Sequence, residues 1–143
     1  MITYIEDRNN EIVVHMDSWG TYTVHERCKV FLNKLCEHYG SSFEGRKQAV
    51  CACLNIHQKV PVLIREGIIL YPVIDAASKN NVWVNYCKVK KITAKQYQTL
   101  FEFHDGTMLL SDSEYRSVKM QQYRCTNYLF VLHERIAPAS VLH

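Results

Sequence analysis

Residues 40–47 read GSSFEGRK. Two glycines flanking four residues, with cations after them, are the ingredients of a phosphate-cradling loop. In such a loop backbone N–H groups and a lysine hold the phosphates, and the next Ser or Thr binds magnesium. Here Arg46 stands where the lysine is needed and Gln48 follows Lys47. The expected order of elements is also wrong. The segment before Gly40 reads as a helix and QAVCACLNI (48–56) reads as a strand, whereas a phosphate loop leaves a strand and opens a helix. Gly40, Ser41, Ser42 and Gly45 are therefore expected to form a structural loop with no nucleotide bound.

Other reactive residues suggest little chemistry. Cys51, Cys53 and His57 lack the two-to-four-residue cysteine spacing of zinc sites, and no second pair completes a set of four. Core cysteines on a strand account for them equally well. Cys28 and Cys36 share a helix face but sit eight residues apart, too far along the axis for a disulfide. No H-E-x-x-H, G-x-S-x-G or carboxylate cluster is present. The residues point to no catalytic group, no metal and no cofactor. Trp19, Trp83 and nine tyrosines could stack on bases or on a partner, although Trp83 reads as core.

The elements that would position these residues are legible in outline. TYIE (3–6) and EIVVHM (11–16) flank DRNN, a hairpin turn. Thr23 and Glu26 form a T-x-x-E capping box, followed by Cys28, Phe31, Leu32, Leu35, Cys36 and Tyr39 at helical spacing. Gly40 stands where a helix end favours a left-handed residue. PVLIR (61–65) and IILYPVI (68–74) surround Glu66-Gly67, a second hairpin. ASKNN (77–81) reads as a loop. VWVNYCKVKKI (82–92) reads as one strand with Val84, Tyr86, Lys88 and Lys90 on one face. TLFEF (99–103) and TMLL (107–110) enclose HDG, a third hairpin. Ser111 and Glu114 form an S-x-x-E box opening a long helix, whose Tyr115, Val118, Gln122, Cys125, Leu129 and Leu132 make an apolar stripe and which ends before Pro138. The expected fold is a single α+β domain over residues 1–143: antiparallel hairpins, one short helix after the N-terminal hairpin and one long C-terminal helix.

The chain has 143 residues, 48% apolar and 22% charged, as in ordinary soluble domains. No apolar run reaches membrane-spanning length, and MITYIEDRNNE does not read as a secretory signal. A cytoplasmic protein with reduced cysteines is expected. The net charge of +3 is unevenly spread: residues 45–101 carry nine bases against Glu66 and Asp75, and five lysines lie between Asp75 and Glu102 with no acid. Such a field suits a polyanion or an acidic surface, or is simply a solvated face.

GSSFEGRK, preceded by LCEHYG, resembles the motif of the competence transcription factor (ComK) family, C-x-x-[FY]-G-S-S-[FY]-x-G-R-K. Cys36, Tyr39, Gly40, Ser41, Ser42, Phe43, Gly45, Arg46 and Lys47 fill it. The likeness continues with Lys59, Pro61, Tyr71 and Pro72 in a K-x-P hairpin, then Trp83, Val89 and Lys90. Phe103, Gly106 and Leu109 follow, and Gln121, Tyr123 and Arg124 close it, all in order across roughly residues 20–130. Larger family members continue into a C-terminal extension that serves adaptor and protease recognition; no counterpart of it is expected to act here.

The resemblance implies a DNA-binding activator of DNA-uptake genes that recognises paired A/T-rich boxes, largely through the minor groove. It implies double-stranded DNA, a homodimer or higher oligomer and RNA polymerase as partners, and no membrane. The charge concentrated in 45–101, with the resemblance tightest at Arg46 and Lys47, assigns Arg46 to the minor groove, because a guanidinium sheds water more readily than an ammonium. It assigns Lys47, Lys88, Lys90 and Lys91 mainly to phosphates, with Gly45-Arg46-Lys47 as a turn approaching the groove. The three-four stripe of the C-terminal helix is the expected self-association surface. The competing reading is a protein-binding regulator that sequesters a partner through its long helix without touching DNA.

Overall fold

The computed structural model describes residues 1–17 and 20–141, with side chains described as far as 134; Trp19 lies outside the described residues. Among the described residues there are nine strands and three α-helices. The strands are β1 (Ile2–Asp7), β2 (Ile12–Met16), β3 (Gly20–Val24), β4 (Val62–Arg65), β5 (Ile68–Ile74), β6 (Asn81–Asn85), β7 (Val89–Lys95), β8 (Gln98–Phe103) and β9 (Met108–Ser111). The helices are α1 (Cys28–His38), α2 (Phe43–Leu54) and α3 (Tyr115–Val141). β1 to β6 make one antiparallel sheet in the order β3-β2-β1-β6-β5-β4, and β7-β8-β9 make a second, three-stranded sheet. The α+β expectation holds: hairpins, a short helix after the N-terminal strands, and a long C-terminal helix.

The three expected hairpins form, and each turn carries its left-handed residue: Asn9 (φ 71), Gly67 (φ 89) and Gly106 (φ 88). Five other expectations fail. Thr23 does not cap α1; it lies in β3 opposite Val13. The cap position is Arg27, with no side-chain hydrogen bond, and Glu26 instead receives Lys34 Nζ at 2.6 Å. Ser111 does not cap α3 either. It belongs to β9, and its hydroxyl donates to the Ile74 carbonyl at 2.6 Å, so the helix opens only at Tyr115. That helix then runs past Pro138 to Val141, not stopping before the proline.

The fourth failure is QAVCACLNI, which is helical. Ser42 has extended backbone, and its side chain accepts from Gly45 N–H, an N-cap for α2; Asn55 ends the helix in the left-handed region (φ 54). Both stop signals are in the sequence, and the alternating Val and Cys outweighed them in a strand reading. The fifth is the single strand over 82–92. β6 and β7 belong to different sheets, separated by a 3-10 turn at Tyr86–Lys88, so Val84, Tyr86, Lys88 and Lys90 do not share a face.

Alternation along β5 explains the layering. Ile68 and Leu70 join Ile5, Ile12, Val14, Val62 and Ile64 beneath Cys28, Leu32, Cys36 and Phe43, so α1 and the start of α2 cover one face of the large sheet. Ile69, Tyr71 and Val73 face the other way, against Phe101 and Phe103 of β8 and Val118 and Cys125 of α3. The Tyr71 hydroxyl donates to Gln122 Oε1 at 2.6 Å, pinning α3 to the sheet. A smaller cluster, Val50, Val60 and Tyr128, joins α2 to α3. The apolar stripe of α3 is therefore spent on the chain's own core rather than left for a second copy.

Candidate nucleic-acid interface

GSSFEGRK is the joint between α1 and α2. Gly40 has φ +85, its N–H bonds the Glu37 carbonyl at 3.0 Å and Ser41 N–H bonds the Cys36 carbonyl at 3.1 Å. This pair of bonds is the glycine-terminated helix ending in which a left-handed residue is required. At the start of α2, Ser42 Oγ accepts from Gly45 N–H at 2.9 Å and Asn33 Oδ1 of α1 accepts from Phe43 N–H at 2.9 Å. The loop does open a helix, contrary to the expected strand. A helix nevertheless precedes it, and two of the N–H groups that would face an anion are already satisfied.

Gly45 differs from Gly40. It is helical, and a Cβ there would meet Ser42 Oγ at 3.0 Å, so the capping geometry, not a left-handed backbone, requires its smallness. Arg46 and Lys47 follow on α2 itself and not on a turn. The Arg46 guanidinium reaches back to the α1 terminus, where Nη2 donates to the Tyr39 carbonyl at 3.1 Å; its Nε is buried with no hydrogen-bond partner among the described residues. The ring of Tyr39 also carries Arg65, 5.3 Å above its centroid. Lys47 is half-buried and has no ion-pair partner among the described residues.

The other basic residues lie across the large sheet. Asn85, fully buried, ends β6 and sets the start of β7. Its Oδ1 accepts from Ile69 N–H and Cys87 N–H, both at 3.1 Å. Its Nδ2 donates to the Ile2 carbonyl at 2.8 Å and the Gly67 carbonyl at 3.0 Å. Just beyond, Lys88 Nζ lies 2.7 Å from Asp17 Oδ2, while the other oxygen of Asp17 holds the N-terminal amine at 2.9 Å. The Lys88 contact, then the amine, lowers the Asp17 pKa. Lys90 Nζ sits 3.9 Å from Glu102 Oε1. Lys91 and Lys95 are exposed, without ion-pair partners among the described residues. Lys95, overlooked in the sequence reading, belongs to the same acid-free run.

The five expected contact residues thus fall into two groups. Arg46 and Lys47 belong to the helical layer on one face of the large sheet; Lys88, in the 3-10 turn, and Lys90 and Lys91 of β7 lie with the small sheet on the other. The cysteines are placed as core. Cys28, Cys36 and Cys125 are buried. Burial pushes the Cys28 thiol up to about 12, and raises Cys36 in spite of the nearby Arg46. Cys51 and Cys53 lie on α2, not on a strand, packed beside Val50. Among the described residues no group of three His, Cys, Asp or Glu side chains is placed to hold a metal, and no helix is long and apolar enough to cross a membrane.

Comparison with known proteins adds two matches. The family model described as ComK protein matches residues 1–137. A curated relative, the competence transcription factor of Bacillus subtilis (strain 168), is 26% identical over 96 residues, which is 65% of this chain and 50% of that protein. The chain spans about half the length of the curated relative it matches. No solved structure gives a significant match.

Proposed function

The chain belongs to the ComK protein family, and from that membership we propose that it is a DNA-binding transcription regulator of the competence type, without a catalytic step of its own. The observation that carries this reading is the match across residues 1–137, which spans the α1–α2 joint and both basic groups. The charge distribution supports it, since residues 45–101 hold nine bases against two acids and such a field draws a polyanion. Paired A/T-rich boxes are the proposed target, with the narrow minor groove of A-tracts favouring cations. Lys47, Lys90 and Lys91 are proposed to meet phosphates; Lys88 would do so only by leaving Asp17.

Arg46 takes one of two parts. It enters the minor groove, which requires release from the Tyr39 carbonyl, or it stays and holds α2 so that Lys47 is presented. The geometry favours the second, because a charged hydrogen bond at a partly buried site resists release.

Self-association remains part of the proposal, on a surface different from the expected stripe. Met120, Tyr123 and Phe130 on the outer side of α3 are 52%, 64% and 61% exposed. The same residues favour the second reading, a protein-binding regulator that needs no nucleic acid. A gel shift decides between the two. The DNA reading expects retention of an A/T-box duplex over a G/C-rich control, weakening steeply with salt. Equal, negligible retention of both duplexes, together with a stable protein complex, supports the partner-binding reading instead.

A further inference from the structure

Three shallow cavities follow one another around an end of the large sheet. One, about 340 Å³, lies between α1, α2 and the sheet and is bordered by Lys29, Lys47, His57 and Trp83. The next, about 200 Å³, shares Lys59, Pro72 and Asn81 with it and reaches Ser117 of α3. The third, about 290 Å³, shares Lys59, Ser117 and Gln121 with the second and is bordered by Arg116 and Arg124. Shared walls set the three in a row as a segmented groove, running from the helical layer past the sheet to α3, with Lys59 bordering all three.

The groove is rigidly held where it turns. Lys59 sits in the left-handed region at φ 50. Its carbonyl accepts from Gln121 Nε2 at 2.7 Å and its Nζ donates to Ser117 Oγ at 3.3 Å. Arg124 Nη1 donates to the neighbouring Gln58 carbonyl at 2.9 Å. Gln121, only 3% exposed, keeps its Oε1 buried without a partner among the described residues. Lys29, Lys47 and Arg116 have no ion-pair partner among the described residues. Three carboxylates, Asp7, Glu44 and Glu114, also border the groove, so the excess is two positive charges with His57 neutral. The cations come from α1, α2, the α2–β4 connection and α3; they are strung along the groove and do not converge on one point. A concave, low-dielectric surface focuses such charge.

We propose that this groove carries one sugar-phosphate strand of the DNA, with Lys29 and Lys47 at one end, Lys59 in the middle and Arg116 and Arg124 at the other. This rests on the DNA-binding reading and names the surface that serves it. It makes the groove the main phosphate track and leaves Lys90 and Lys91 at its periphery. A row of separated cations suits a chain of regularly spaced phosphates better than a single small anion, and none of these contacts reads a base.

The test is fluorescence anisotropy of the full chain with a labelled A/T-box duplex over a series of salt concentrations. The slope of log affinity against log salt changes by about 0.9 for each phosphate contact. Lys29→Ala/Lys47→Ala/Arg116→Ala is expected to flatten the slope by about 2–3 units, and Lys91→Ala/Lys95→Ala by less. If circular dichroism shows the triple variant unfolded, Lys29→Glu/Arg116→Glu, two exposed changes, reads the same slope. A groove variant with the slope of the wild type overturns the proposal, as does a larger loss from the small-sheet pair. Absence of salt-dependent duplex binding by the wild type fails the DNA reading itself, and the groove with it.

Discussion

The two basic regions hold their charges differently. On the helical side, Lys47 and Lys29 have no ion-pair partner among the described residues, while Arg46 is engaged by a carbonyl and Lys34 by Glu26. On the small sheet, Lys88 is held by Asp17 and Lys90 leans toward Glu102, while Lys91 and Lys95 are free of ion pairs among the described residues. A run of five lysines without an acid in sequence is therefore not a run of five available charges. The acids that occupy them come from residues 17, 102 and 112, the last paired with Lys79, and all are brought in by the fold. A cation already paired must exchange one partner for another on binding, so it adds less to phosphate affinity than a free one.

The difference exists only while the two regions are held apart, and Asn85 does that. It satisfies four backbone groups, from Ile2, Gly67, Ile69 and Cys87, at the point where the chain leaves one sheet for the other. Asn85→Ala leaves buried backbone donors and acceptors without partners, each costing about 1–3 kcal/mol. The expected loss is on the order of 3 kcal/mol or more, the largest single-residue effect outside the apolar cores. Urea denaturation measures it. A loss below about 1 kcal/mol shows that Asn85 does not organise the junction.

Arg46 and Lys47 sharpen the contrast within the helical side. Arg46→Ala removes a charged hydrogen bond at the α1–α2 joint and is expected to cost about 1–2 kcal/mol. Lys47→Ala is expected to leave stability within about 0.5 kcal/mol and to lower the salt slope by about one unit. Thermal melts and binding isotherms on both variants separate the roles. If Arg46→Ala keeps its melting temperature but loses the preference for A/T boxes, Arg46 acts in the minor groove and the clamp assignment is wrong.

The two glycines differ in the same testable way. Gly40→Ala puts a side chain at φ +85, which costs about 1–2 kcal/mol. Gly45→Ala gains about 0.5–1 kcal/mol of helix propensity but pushes on Ser42 Oγ, so its net effect is smaller. Equal losses in a denaturant series would mean that the cap at Ser42 is more rigid than its exposed position suggests.

How much of this was legible follows from where each signal lies. The hairpins were readable because their turn residues are local: Asn9, Gly67 and Gly106 need no distant partner to adopt positive φ. Gly40 ended α1 for the same reason. The capping boxes misled because Thr23 and Ser111 were already committed to strands, and Ser111 bonds Ile74, 37 residues away. The break between β6 and β7 was hidden because the partners of Asn85 lie at residues 2, 67 and 69 as well as 87. For the site, the motif around Arg46 and Lys47 was visible, but its helical character and the bond to Tyr39 were not. The groove was invisible, since its cations span positions 29 to 124 and fall outside any local cluster.

The smallest expected effect concerns Lys88, and it tests whether that lysine belongs to the fold or to the DNA. Asp17 has its pKa lowered first by the hydrogen bond with Lys88 and then by the N-terminal amine. A carboxylate lowered in the folded state contributes stability that is fully present above its unfolded value, about 4, and is lost as pH falls through the lower folded value. In Lys88→Ala the main cause of the lowering is gone. The variant should melt below the wild type at neutral pH by a small margin, as exposed ion pairs contribute little. The margin should narrow as pH falls below about 4 and through the lower folded value, where Asp17 in the folded wild type becomes protonated. Asp112, lowered chiefly by Lys79, titrates alike in both proteins and cancels in the difference. Melts at a series of pH values read the margin directly. A gap that stays constant down to acid pH shows that Lys88 supports the fold by packing rather than by its charge. A gap absent at neutral pH leaves the pair without weight in stability and Lys88 free for phosphate.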